Sequence, residues 1–249
     1  MQQVLSAEQI QANWEKLLNV IDHYVSSPRK EKLVELYSDM AEIMIMAPAS
    51  SKAHFHNAFP GGYVDHVLRV ISAAIQTKKL WEAFNADINF TDEELVFAAL
   101  NHDLGKMGDG EQEGYIPQTD NWRRDKLKEN YTYNTELQFM LIQDRSLYIL
   151  QKYGIECSMN EYLGIRLHDG IYDDANKAYF LSNMPESKLR YNIVHILHQA
   201  DFLASKVEYD NWKKTTNPAP KPKENKTIRQ KATQTLKSSE GLSNLIQNL

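Results

Sequence analysis

Four residues of this chain are of the types that hold a divalent metal, and each lies on an apolar, helix-prone segment. His66 sits in Phe59-Pro60-Gly61-Gly62-Tyr63-Val64-Asp65-His66-Val67. His102 and Asp103 are adjacent in Leu100-Asn101-His102-Asp103-Leu104-Gly105-Lys106, and Asp201 closes Leu197-His198-Gln199-Ala200-Asp201. Imidazole nitrogen and carboxylate oxygen are ligands for hydrolytic divalent ions. A carboxylate on an apolar face needs a charged partner, because an unpaired buried charge is costly to desolvate. A lone histidine on such a face is commonly a hydrogen-bonded core residue, but four ligand-type residues on three segments ask for a shared purpose. An ion gripped by such a set is a Lewis acid and lowers the pKa of a bound water.

The segments that must position these residues read as helices. Residues 7 to 26 carry Leu17, Leu18, Ile21 and Val25 on one stripe, with Ser6 as N-cap for Gln9. A second helix is expected from about 27 to 46, stopped by Pro48. A third, from about 63 to 84, turns His66, Val67, Val70, Ile71 and Ala74 inward. Thr91 with Glu94 is a capping-box pattern opening a helix that ends at His102-Asp103. Helices are expected again over 134–153, 160–168 and 185–209. The stretch from 108 to about 133 is polar, charged and aromatic without a sustained period, and a loop of that length is usually functional or disordered. Apart from a short β-prone piece at Tyr179-Phe180-Leu181, no strand pattern competes, so the fold class reads as all-α.

Composition bounds the remaining choices. A chain of 249 residues can bury a sizeable core. One helical domain over 1–212, whose first 46 residues are N-terminal helices, is expected to carry a Lys/Pro-rich linker and flexible tail over 213–249. That tail includes Lys213, Lys214, Lys221, Lys223 and Lys226, with a short amphipathic turn near its end. The net charge of -5 argues against attraction of the whole surface to nucleic acid. Cys157 is the single cysteine, which excludes an intrachain disulfide and a thiolate zinc cluster. No secretory signal and no run long enough to span a bilayer is visible, so a cytoplasmic protein without a membrane partner is expected.

The order His66, His102-Asp103, Asp201 resembles the HD-domain superfamily of metal-dependent phosphohydrolases. Closest in motif is the HD domain of bacterial 3'→5' exoribonucleases. Ile45-Met46-Ala47-Pro48-Ala49, the paired His54 and His56, and Pro60-Gly61-Gly62 ahead of His66 are similar to that family's segments, as are His168-Asp169-Gly170 and Leu197-His198-Gln199-Ala200-Asp201. The similarity covers roughly residues 45 to 106 and 163 to 205. Two departures stand out: no nucleic-acid-binding OB fold precedes the HD motifs, and residues 104 to 167 contain no histidine where two-metal members often have one.

The resemblance implies an HD helical bundle with a metal site in its core, bound by His66, His102, Asp103 and Asp201, with His168 and His198 as candidate further ligands. The cofactor is then a divalent ion, Mn, Mg, Co, Ni, Fe or Zn, with a second ion left open. It implies catalytic roles for Asp103, Lys106 and His168, Lys106 standing where related enzymes contact phosphate, and it puts His54 and His56 at the substrate entrance. His195 reads as structural, and His23 falls outside the motifs. Within 108–133, Tyr115, Trp122, Tyr131 and Tyr133 beside Arg123 and Arg124 could stack bases and clamp phosphates as a nucleotide lid. The expected function is hydrolysis of a phosphate ester or anhydride of a nucleotide. A 3'→5' exonuclease or phosphodiesterase on short RNA or DNA, a non-catalytic nucleotide-binding module and a di-iron oxygenase are the alternatives.

Overall fold

The computed structural model describes residues 4–182 and 184–216. Helix α1, Ala7–Tyr24, opens on a full capping box: the Ser6 hydroxyl accepts from the Gln9 N–H, and the Gln9 side chain accepts from the Ser6 N–H. Its apolar stripe buries Trp14, Leu17 and Ile21. The single helix expected over 27–46 is two, α2 at Arg29–Asp39 and α3 at Ala41–Met46, separated at Met40. Met40 and Met44 both end up buried, so the break lets two short helices turn their apolar faces to one core.

Helix α4, Gly62–Ala83, and helix α10, Asn192–Thr216, lie along one another, and α10 also packs on α8, Met159–Leu167. Between them runs α5, Asp92–Asn101, in which every residue from Leu95 to Asn101 is buried. A helix apolar on all sides is a central helix, and α5 is one. Its N-terminus carries the expected box, Thr91 with Glu94, and a third box, Ser158 with Glu161, opens α8. Each box satisfies two amide N–H groups that helix geometry leaves without partners.

The chain is mostly helical, as expected, but several segments differ from the sequence reading. The stretch over 108–133 is a small ordered unit: strands β1, Tyr115–Pro117, and β2, Tyr131–Tyr133, pair antiparallel in the register Tyr115↔Tyr133, with helix α6, Asn121–Leu127, between them. Strands of three residues are too short to display a period, which is why no pattern announced them. Helix α7 begins only at Ile142 and runs to Lys152, while the β-prone Tyr179–Phe180 lies in the short helix α9, Lys177–Phe180. Helix α10 starts seven residues later than expected and continues beyond Trp212. Lys213 and Lys214 therefore sit in its last turn, where cations favour the negative end of the helix dipole. The rest of the Lys/Pro-rich stretch and the terminal amphipathic turn lie outside the described residues. Among the described residues no helix is long and apolar enough to cross a membrane.

Candidate metal centre

Three helix features deliver the metal-type residues to one place. Gly62 lets α4 begin close against the preceding loop, since a Cβ there would stand 2.0 Å from the Asn57 carbonyl oxygen. His66 follows one turn later, fully buried. His102 and His168 occupy equivalent positions as C-caps of α5 and α8. A helix end leaves carbonyls without intrahelical donors, and each imidazole supplies one: Nδ1 of His102 donates to the Ala99 carbonyl and Nδ1 of His168 to the Ile165 carbonyl, both at 2.8 Å. A carbonyl only accepts, so the proton stands on Nδ1 and the Nε2 lone pair faces away from the helix. Nδ1 of His198 donates in the same way to the His168 carbonyl at 2.7 Å.

The free Nε2 atoms converge on carboxylates. Nε2 of His66 lies 3.2 Å from Asp201 and 3.6 Å from Asp103; Nε2 of His102 lies 3.4 Å from Asp103 and 4.0 Å from Asp201. Nε2 of His168 lies 3.7 Å from Asp103 and 3.6 Å from Asp169. Ligand atoms about 2.0–2.2 Å from one ion stand about 2.8–3.6 Å apart in tetrahedral or octahedral geometry, so this spacing suits a shared cation. The buried Nε2 atoms of His66 and His102 have no hydrogen-bond partner, and an unpaired buried nitrogen is an open ligand position or a costly orphan. His66, His102 and Asp201 form one group able to hold an ion; His102, Asp103 and His168 form a second, and His168, Asp169 and Asp201 a third.

The electrostatics follow from this packing. Burial opposes ionisation of Asp103, yet the Lys106 ammonium and the His102 and His168 imidazoles hold its carboxyl well below the usual range. Burial likewise opposes the charge of Asp201, and the nearby imidazoles of His66, His102 and His168 outweigh it and hold the carboxyl low. Burial pushes His66 down, but the Glu208 and Asp201 carboxylates outweigh it and carry the imidazole to about 10 without an ion. Lys106 donates to Asp103 and to the Ala49 carbonyl, which leaves one of its three N–H donors for a ligand.

The cluster floors a cleft of about 590 Å³, within the usual range for small-molecule sites. His54, His56, Lys106, Tyr115, His168 and His198 all line it. Burial and the nearby Lys106 charge drive His56 well below the ordinary histidine range, so its ring is neutral, and its buried Nε2 has no partner. Of the other lid residues Tyr133 also lines the cleft, but Trp122, Tyr131, Arg123 and Arg124 do not. Arg123 is spent on Glu129, bracing α6 to the residue pair before β2; Arg124 bonds Asn121; Trp122 is 61% exposed on a helix that buries nothing. The charged character of that segment serves its own folding. His195 is not among the residues lining the cleft and stacks on Trp81, 6.2 Å between ring centres.

Sequence reasoning missed Glu208. Its two oxygens each lie 3.1 Å from Nδ1 of His66, and one also accepts from Arg69. The available signal was spacing: seven residues after Asp201 is two turns along the same face of α10. It also missed Tyr172, Phe202 and Lys206 in the cleft lining.

No family model, no curated protein and no solved structure matches this chain. The buried His/Asp groups, able to hold a metal ion, are what the functional reading has to build on.

Proposed function

We propose that the protein is a metal-dependent phosphohydrolase of the HD type, hydrolysing a phosphate ester or anhydride of a nucleotide. The observation that carries the reading is the set of tethered histidines whose Nε2 atoms meet Asp103 and Asp201 at the floor of an open cleft. The order of those residues along the chain, which resembles the HD pattern, supports it.

His66, His102, Asp103 and Asp201 would hold one ion, and His168 with Asp169 offers an adjoining position for a second. Bound there, a divalent ion supplies Lewis acidity toward a phosphoryl oxygen and lowers the pKa of water. The chain's own groups do the rest. The free donor of Lys106 would receive a phosphoryl oxygen as charge develops on it. Neutral His56 lines the cleft, and its buried, unpartnered Nε2 would hydrogen-bond a substrate or water group that reaches it. Asp103, held ionised by Lys106, keeps a carboxylate available to both positions. Small cleft size favours a nucleotide over a long polymer, because a polymer track would extend past a single pocket.

Hydrolysis tests this directly. Protein stripped of metal and reloaded with Mn²⁺, Mg²⁺, Co²⁺ or Ni²⁺ is assayed on mononucleotides, triphosphates and short RNA. Metal-dependent release of phosphate or nucleoside is expected, and Asp103→Ala should lose both metal retention and turnover. Full metal-dependent turnover in that variant, or a wild-type protein that retains no ion, overturns the proposal. Processive RNA degradation that weakens steeply with salt would replace it with the exonuclease reading.

A further inference from the structure

Beyond the phosphate-binding floor, one side of the cleft has a chemistry of its own. The Tyr172 ring lies 6.0 Å from the His198 ring and stacks on Phe202 at 6.2 Å with only 6° between planes. Both line the cleft, yet Tyr172 is 73% exposed and Phe202 41%. Large aromatic faces left open to water inside a concave site are surface that a ligand can cover. Phe202 is the residue after Asp201, and Tyr172 ends the short 3-10 turn Gly170–Tyr172 that follows His168-Asp169. The aromatic pair is therefore built from the same two chain segments that supply the ligand groups. Lys206, one turn farther along α10, also lines the cleft and places its ammonium 5.0 Å from the Phe202 ring centre.

Passing outward, the cleft presents metal-type groups, then a pair of aromatic faces, then a cation. Asp201 and Lys206 are five residues apart on a helix, about 7–8 Å along its axis. That is the scale of one nucleoside phosphate. On the hairpin side Tyr115 is buried, and its hydroxyl is bonded at 3.1 Å to that of Tyr133, whose ring is held against it and away from the two segments that carry the ligand groups.

We propose that Tyr172 and Phe202 form the base-binding side of the cleft, with Lys206 beside it, so that the ligand is a nucleoside phosphate and not a plain sugar phosphate. This rests on the phosphohydrolase reading for the position of the phosphate alone. An aromatic face stacks any base, so the subsite selects for the presence of a base more than for its identity.

The test compares equilibrium binding of adenosine 5'-monophosphate and ribose 5-phosphate, which lacks the base, to the Mn²⁺-loaded protein and to the Tyr172→Ala/Phe202→Ala double variant. Turnover of p-nitrophenyl phosphate is measured in parallel. Wild-type protein should bind the nucleotide about tenfold or more tightly than the sugar phosphate, and the double variant should erase that preference. Tyr172→Phe should keep it, and the thermal midpoint of each variant reports whether it folds. Equal affinity for the two ligands, binding of neither, or an unchanged preference in a folded double variant overturns the base-binding proposal. Metal-dependent turnover of p-nitrophenyl phosphate in those same samples would show that the hydrolase reading survives its loss. A clear base preference without any turnover would leave the subsite standing and remove the hydrolase.

Discussion

Glu208→Gln probes the centre without touching a proposed ligand. Glu208 is buried against His66, with both oxygens 3.1 Å from Nδ1, and it holds the proton there so that Nε2 faces Asp201. Glutamine keeps the volume but removes the charge, and its amide can turn an N–H toward Nδ1, which favours the opposite tautomer. Loss of such a support behind a metal-binding histidine typically costs about 10–100-fold in metal affinity, or about 1.4–2.7 kcal/mol. The folding cost should be smaller than for breaking an isolated buried pair, because Arg69 retains Asp65 at 3.1 Å and is one-third exposed. pH gives a second handle. Without an ion, burial pushes His66 down, but Glu208 and Asp201 raise it to about 10, so a metal must displace a proton at neutral pH. Affinity of the wild type should keep rising with pH toward that value. In the variant the competing proton is held less firmly, so its affinity levels off earlier and the deficit widens as pH increases. The same raised pKa means that the His66 pairing contributes stability below about 6.5 and loses it as pH rises through about 10, unless an ion takes the proton's place. Competition between the protein and a calibrated chelator for Co²⁺, from pH 6 to 9, measures all of this. Wild-type affinity in a folded Glu208→Gln protein across that range would refute the reasoning.

Two further perturbations separate site geometry from folding. Gly170 has φ +57°, and a Cβ there would meet the His198 ring at 2.6 Å, so Gly170→Ala should cost about 1–2 kcal/mol from the left-handed backbone alone. It should also displace His198 from the His168 carbonyl and lower turnover; an unchanged thermal midpoint with unchanged turnover would contradict this contact. At Glu94, burial raises the carboxyl pKa, but the Thr91 N–H and the Ser158 and Asn160 side chains outweigh it and hold it below 4.5. Its stabilisation is therefore present above about pH 4.5 and lost as pH falls through the lowered value, so Glu94→Gln should flatten the acid limb of a thermal-midpoint profile without changing metal affinity.

Local rules made much of this protein readable. Ser6 with Gln9 and Thr91 with Glu94 marked true helix starts, because a capping box depends on residues only three apart. His66, His102, Asp103 and Asp201 could be singled out by type and apolar context, and packing brings all four together. The helix break at Met40 and the hairpin at Tyr115–Tyr133 were not legible, since the first follows from two short helices sharing one core and the second from strands too short for periodicity. Charged and aromatic residues alone could not tell Trp122, Arg123 and Arg124, turned to their own segment, from Tyr172, Phe202 and Lys206, turned into the cleft. Glu208 makes the distinction sharpest. Its spacing from Asp201 puts it on the same face of α10, but its role comes from its partner His66, 142 residues away. The sequence by itself determined which side chains were chemically able to bind a metal and where α1, α4, α5 and α8 begin. Only the tertiary structure decided which carboxylate stands behind His66, which Nε2 atoms and carboxylates meet and which aromatics line the cleft, because those depend on how α4, α5, α8 and α10 pack across long separations in the chain.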